Sequence, residues 1–257
     1  MPSDFDCTVL SRLPLAEAVL SLWQWICHDD HLADLYDRHR GQTYEKKISF
    51  SLLTQLIRDA LLEHQGSGHQ SFSHGREDGI LDAALSSVYD KLARLPIPLS
   101  EAFLAEGADR LRQVLPESTP GDNPVPASLR EFEVVVVDGK VVKGVPKRLK
   151  PARGLKGGLL GGKGLAALHL SSGLVLALAT DPDGEANDAK LVPALLPQVR
   201  ERLPGVRLWV GDRQFCDLKQ GAAFTAEGDH FLVRYHPKVH FHADPERPSV
   251  VGQDARG

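Results

Sequence analysis

The run EVVVVDGKVVKG, residues 133–144, sets four valines, Val134 to Val137, directly before Asp138. Consecutive β-branched residues favour an extended strand. A run apolar on both sides of the pleat belongs to a sheet covered on both faces. The aspartate ends that run, so a carboxylate is brought to the tip of a buried strand. An unpaired buried carboxylate is costly, and this one needs a partner. A second stretch repeats the pattern: GVRLWVGDRQF, residues 205–215, carries an apolar run into Asp212. If the two strands are parallel neighbours, both carboxylates emerge at one edge of the sheet. That is the edge at which open α/β sheets bind ligands.

Two close carboxylates repel each other, and a divalent cation relieves the repulsion while both stay ionised. Mg²⁺ or Mn²⁺ suits such oxygen ligands. Two ions about 4 Å apart can activate an attacking oxygen and stabilise a leaving one on a phosphodiester. An Asp-Gly pair is also an ordinary turn signal; the matched context of Asp138 and Asp212 is what favours the metal. A phosphatase-like nucleophile is disfavoured, because Lys140 stands where such sites place a second acid.

Charge points the same way. The chain has 257 residues and a net charge of −4, unevenly spread. Residues 1–130 carry 12 Lys and Arg against 19 Asp and Glu, a net −7, and residues 131–257 carry 18 against 15, a net +3. Residues 140–163 hold eight Lys and Arg and no acid. A protein this acidic overall is not a general nucleic-acid sink, but that block suits an anionic partner held beside Asp138. Lys140, Lys143, Lys147, Arg148 and Lys150 are the candidate phosphate contacts, with Arg213, directly after Asp212. No apolar stretch reaches ~18 residues, so no membrane span is expected. The acidic N-terminus is no secretory signal, and three scattered cysteines fit a reducing cytoplasm.

The first half reads as helical. Leu15, Val19, Leu22, Trp23 and Ile26 recur at helical spacing, as do Leu52, Leu53, Leu56, Ile57 and Leu61, with Ser51 as a cap. Residues 78–94 and 100–115 predict two more helices, 66–78 a loop, and LPIP (95–98) a break. The proline-rich stretch 116–128 marks a boundary, giving a helical region (1–128) and a second domain (129–257). After the valine strand, residues 164–172 and 174–181 predict a hairpin. A helix over 188–203 is weakened by Pro193 and Pro197. A strand ending near Asp212, a helix (217–228) and a strand (229–236) follow. The order β-β-β-α-β-α-β predicts a mixed α/β sheet with the two Asp-tipped strands at its centre.

At these residues the second half resembles DDE transposases of bacterial insertion sequences, in the IS4-like superfamily and among the H-repeat-associated proteins. VVVVDGKVVKG is similar to that family's first-aspartate motif and GDRQF (211–215) to its second. Glu185-Ala186-Asn187-Asp188 resembles its Asn-Glu segment, with aspartate in place of glutamate, and FLVRYH (231–236) the strand that follows. The resemblance implies a ribonuclease H-like fold after an all-α region. It implies Mg²⁺-dependent DNA cleavage and strand transfer at transposon ends, with Asp138 and Asp212 as catalytic and metal-binding acids. A homo-oligomer and a bacterial cytoplasm go with it. The family's third acid is a glutamate in a Y-x-x-R-x-x-x-E pattern. No such pattern follows Asp212, so the chain is expected to be an N-terminal portion of a transposase. Two other readings stay open: an inactive DNA-binding or dimerising fragment that regulates a complete enzyme, and a separate nuclease drawing its third acid from Glu185, Asp188 or Glu246.

Other motifs carry less. GGLLGGKG (157–164) misses the hydroxyl of a phosphate loop, since its last residue is Gly164, and is expected to be a loop carrying lysines near DNA. His236, His240 and His242, with Cys216 or Asp244, could suit zinc, but terminal histidines are usually surface residues. His169 is expected to be buried and satisfied, and Trp23, Trp25 and Trp209 to be core or interface aromatics.

Overall fold

The computed structural model describes residues 15–115, 125–143, 160–184, 186–240 and 246. Among the described residues six helices come first: α1 (Leu15–Ile26), α2 (Asp29–His39), α3 (Phe50–Leu62), α4 (Gly68–Glu77), α5 (Leu85–Arg94) and α6 (Ile97–Val114). The sheet follows as β1 (Glu133–Lys143), β2 (Leu160–His169), β3 (Leu174–Asp181), α7 (Val192–Arg202), β4 (Arg207–Gly211), α8 (Leu218–Thr225) and β5 (His230–Val233).

The five strands lie in the order β3-β2-β1-β4-β5. β1 is antiparallel to β2, β2 to β3, and β4 runs parallel to both β1 and β5. Helices followed by this mixed sheet form the ribonuclease H-like arrangement expected from the sequence. The face of β1 that carries Val135 and Val137 packs with Leu165, Ala167 and Trp209 against Val192, Leu195 and Val199 of α7. On the other face Val134 joins Val125 and Leu208 in a smaller cluster.

Several local expectations change. Asp138 is not the end of its strand: β1 continues five residues further, because β2 stays paired with it as far as Lys143. Residues 66–78 form a helix over 68–77 instead of a loop. Ser67 caps it by accepting the Gln70 N–H, and Ser71 donates to the Leu56 carbonyl at 2.7 Å, so tertiary contact with α3 overrides a turn-rich composition. The next helix accordingly begins only at Leu85. The cap of α3 is Ser49, whose oxygen accepts the Leu52 N–H at 3.1 Å, and not Ser51. Pro193 sits in the first turn of α7, where a missing N–H costs nothing. Pro197 lies inside, and the burial of Leu195, Leu196 and Val199 offsets its lost hydrogen bond. The end of the glycine-rich stretch is strand, since β2 begins at Leu160.

The helical region packs against the sheet through α6. Glu101 accepts the backbone N–H of Thr180 on β3 at 2.8 Å and its hydroxyl at 2.7 Å. Asp109 meets Arg202 of α7 at 3.2 Å. Within the helical region, Arg38 of α2 grips Glu106 of α6 through two bonds of 2.8 and 2.7 Å.

The parallel end of the sheet is held by one buried carboxylate. Asp229, its side chain 0% exposed, accepts from Arg207 at 2.8 Å, from the Trp209 indole at 2.9 Å and from Arg200 at 3.1 Å. Burial pushes its pKa up, but the Trp209, Arg207 and Arg200 donors outweigh burial and hold it below the ordinary carboxylate value. Asp229→Ala removes the shared buried counter-charge of buried Arg207 and half-buried Arg200 and should cost about 3–5 kcal/mol in urea unfolding. A loss under about 1 kcal/mol would show that the cluster does not hold β4 in place. Since the folded carboxyl titrates low, its contribution is complete above the unfolded value near ~3.9. It fades as pH falls through the folded value, so the wild-type advantage over Asp229→Ala should shrink in acid.

Candidate two-carboxylate site

The register of β1 against β4 decides where the two aspartates lie. Glu133–Arg207 through Val136–Val210 pair with a constant offset. Two residues further on, the same offset places Asp138 beside Asp212. Asp212 has left the strand but keeps an extended backbone, with φ −78° and ψ −179°. Adjacent strands are about 4.8 Å apart, and in-register parallel neighbours share a face. Both carboxylates therefore stand on the face of β1 that carries Val134 and Val136, and both residues are exposed. Asp138 has no hydrogen bond or ion pair with any described residue. One Asp212 oxygen accepts the Gln214 N–H at 2.9 Å, which caps the short turn Arg213–Phe215.

The exposure has a structural cause. β4 stops pairing with β1 after Val136, while β2 continues, with Ala166 opposite Asp138 and Gly164 opposite Lys140. Small residues beside the acid leave its face open. Lys140 lies two residues further along that face, exposed and unpaired among the described residues. Arg213 is exposed as well. On the far side of Asp212, the β4–β5 register places Arg234 level with it, and Arg234 N–H donates to the Gly211 carbonyl. Sequence reasoning did not single out Arg234; the FLVR ending of a strand paired to the GDR strand was the available signal. For Lys143 the structure gives the backbone, as the last residue of β1; Lys147, Arg148 and Lys150 lie outside the described residues.

The opposite face carries a second acid. The carboxylate of Asp188, buried, lies directly on Gly139, where a Cβ would overlap all three of its atoms. This explains the glycine after Asp138: any side chain there would evict Asp188. The Lys163 ammonium pairs with Oδ1, and the Gln214 amide donates to Oδ2. Lys163 therefore turns inward to an acid instead of outward as a free cation. Gln214 touches both acids, through its backbone N–H to Asp212 and its side chain to Asp188. Gly211 is fixed similarly, since a Cβ there would come within 2.9 Å of Phe215.

Among the described residues no group of three or more His, Cys, Asp or Glu is placed to hold a metal ion. Glu246 is exposed, and Glu185, His242 and Asp244 lie outside the described residues. His169 is buried, with Nδ1 on the Ser172 hydroxyl and Nε2 on Glu133, both at 2.9 Å. Burial lowers its pKa, against an opposing pull from Glu133. Trp209 is wholly buried, and Trp25 lies under Arg110, 4.1 Å from the ring centre. No described helix is long and apolar enough to cross a membrane.

No family matches this sequence, and no curated protein does. Among solved structures, the cryo-EM structure of a piggyBac transposase synaptic complex with hairpin DNA aligns with 96% of this chain and 53% of its own, at 13% identity and a TM-score of 0.37. The chain thus spans about half the length of that protein. A likeness of this degree adds nothing to what the strand order already defines.

The contact between Gly139 and Asp188 is testable by a double-mutant cycle. Gly139→Ala alone should cost roughly 1–3 kcal/mol in urea unfolding. In an Asp188→Ala background the same change should cost well under half as much, because the methyl then has room. Additive costs would show that the carboxylate does not occupy that space.

Proposed function

We propose that the chain is a DDE transposase protein of the IS4-like kind, in which Asp138 and Asp212 hold a divalent cation against a DNA phosphodiester. One observation supports this above the others: the parallel register of β1 and β4 that aligns the two carboxylates on an open face. The donors suit Mg²⁺ or Mn²⁺. They are two exposed carboxylates, one free of any described partner, and such cations take one or two carboxylates and complete their shell with water and phosphate oxygens. Bound there, the cation supplies Lewis-acid polarisation of the phosphodiester.

The chain's own residues supply the rest. Lys140 and Arg213 flank the carboxylates and bind phosphate oxygens, and Arg234 joins them from β5. Gln214 fixes the orientation of Asp212 through its backbone N–H. The helical region, residues 1–128, takes the transposon ends, and residues 129–257 carry the chemistry.

A second reading has its own support. Asp188 is paired with Lys163 on the other face, so the described residues offer two carboxylates on the open face, not three. A chain with that site would bind DNA ends without cutting them and would regulate a complete enzyme.

Nicking of supercoiled plasmid by the purified chain, in Mg²⁺ and in Mn²⁺, separates the two. Metal-dependent cleavage that falls to the metal-free background in both Asp138→Ala and Asp212→Ala is the expected result for the transposase reading. A folded chain that binds DNA but leaves the plasmid intact with either metal establishes the regulatory one.

A further inference from the structure

The acidic helical region contains a basic cavity, remote in sequence from both aspartates. It lies between the segment 42–48 and α5 and has a volume of about 610 Å³. Lys46, Lys47, Lys91 and Arg94 line it, and Asp90 is the single carboxylate among its lining residues. Lys47 is already paired with Asp82 at 2.8 Å. Lys46, Lys91 and Arg94 have no carboxylate within ion-pair distance among the described residues.

Lys91 is the most informative of these. It is half-buried, and its ammonium donates to the Tyr36 hydroxyl at 2.8 Å and the Tyr44 carbonyl at 2.6 Å, 4.8 Å from the centre of the Tyr36 ring. These neutral partners fix the charge in place without compensating it. An ammonium has three N–H donors, so one remains for the cavity. A cation held partly out of water with no counter-charge favours an anion beside it. At the rim, Tyr44 is 60% exposed, with the Lys46 ammonium 5.3 Å from its ring centre. An exposed aromatic among basic residues is the pairing with which proteins hold a nucleic-acid strand: cations on phosphates, a ring against base or sugar.

We propose that this cavity is a DNA-backbone site, in which Lys46, Lys91 and Arg94 hold phosphates and Tyr44 contacts the adjoining nucleotide. It deepens the transposase reading by giving the helical region a specific contact surface, and it rests on that reading for the choice of DNA over other phosphate-bearing ligands.

Fluorescence anisotropy of the full chain with a labelled DNA duplex, taken across a salt series, tests it. Lys46→Glu with Arg94→Glu removes two exposed cations and leaves Lys91 in place. The double variant should bind at least roughly tenfold more weakly at low salt and flatten the plot of log affinity against log salt by about 1.8, at about 0.9 per phosphate contact. Lys46→Gln with Arg94→Gln should show the same flattening with a smaller loss, which separates lost contacts from introduced repulsion. Wild-type affinity and slope in the glutamine pair overturns the proposal. So does wild-type DNA binding that ATP, used as a phosphate-bearing competitor, displaces while the salt slope stays unchanged in both variants. A chain that never nicks DNA but binds it through Lys46 and Arg94 would sink the cleavage reading and leave this site standing.

Discussion

One strand with partners on both edges organises everything at the candidate site. β1 is paired with antiparallel β2 from Val135 to Lys143 but with parallel β4 only as far as Val136. The difference in length between those two ladders exposes Asp138 while its strand is still held rigidly on one side. A carboxylate on a free loop would lose orientation, and one deeper in the double ladder would lose access. The register set between Glu133–Val136 and Arg207–Val210, carried two residues on, brings Asp212 alongside, so the backbone ladder directs the placement of the pair.

The parallel pairs need more than their own ladders, because each joins strands far apart in sequence. Asp229 supplies the link, gathering Arg200 from α7 with Arg207 and Trp209 from β4 just ahead of β5. On the far side, Asp188 gathers Lys163 of β2 and Gln214 beyond β4 over the bare backbone of Gly139. Both clusters place charge where burial would otherwise forbid it; the first ties α7 to β4, and the second ties the approach to α7 to β2 and to the segment after β4.

The sheet was largely legible in the sequence. Valine and leucine runs bounded by glycine and aspartate located β1 to β4, and the matched settings of Asp138 and Asp212 anticipated their neighbourhood. What escaped was decided by contacts distant in the chain. Residues 68–77 are helical because Ser71 and Phe72 find α3, which no local pattern announces. The role of Gly139 depends on an acid 49 positions later, and the glycine alone reads as a turn. Lys163 belongs to a run of cations that reads as a loop facing an anionic partner, yet it faces a buried carboxylate of its own chain. Arg234 joins the site only through the β4–β5 register.

The clasp of Glu101 on Thr180 has a consequence beyond docking α6. β3 is an outer strand, and the backbone N–H groups on its outward side are a template on which a strand from another molecule could grow. The Glu101 carboxylate occupies one of those donors and sets a negative charge beside it. The helical region thereby blunts this edge of the sheet against pairing with another strand, through a glutamate far from the two exposed acids.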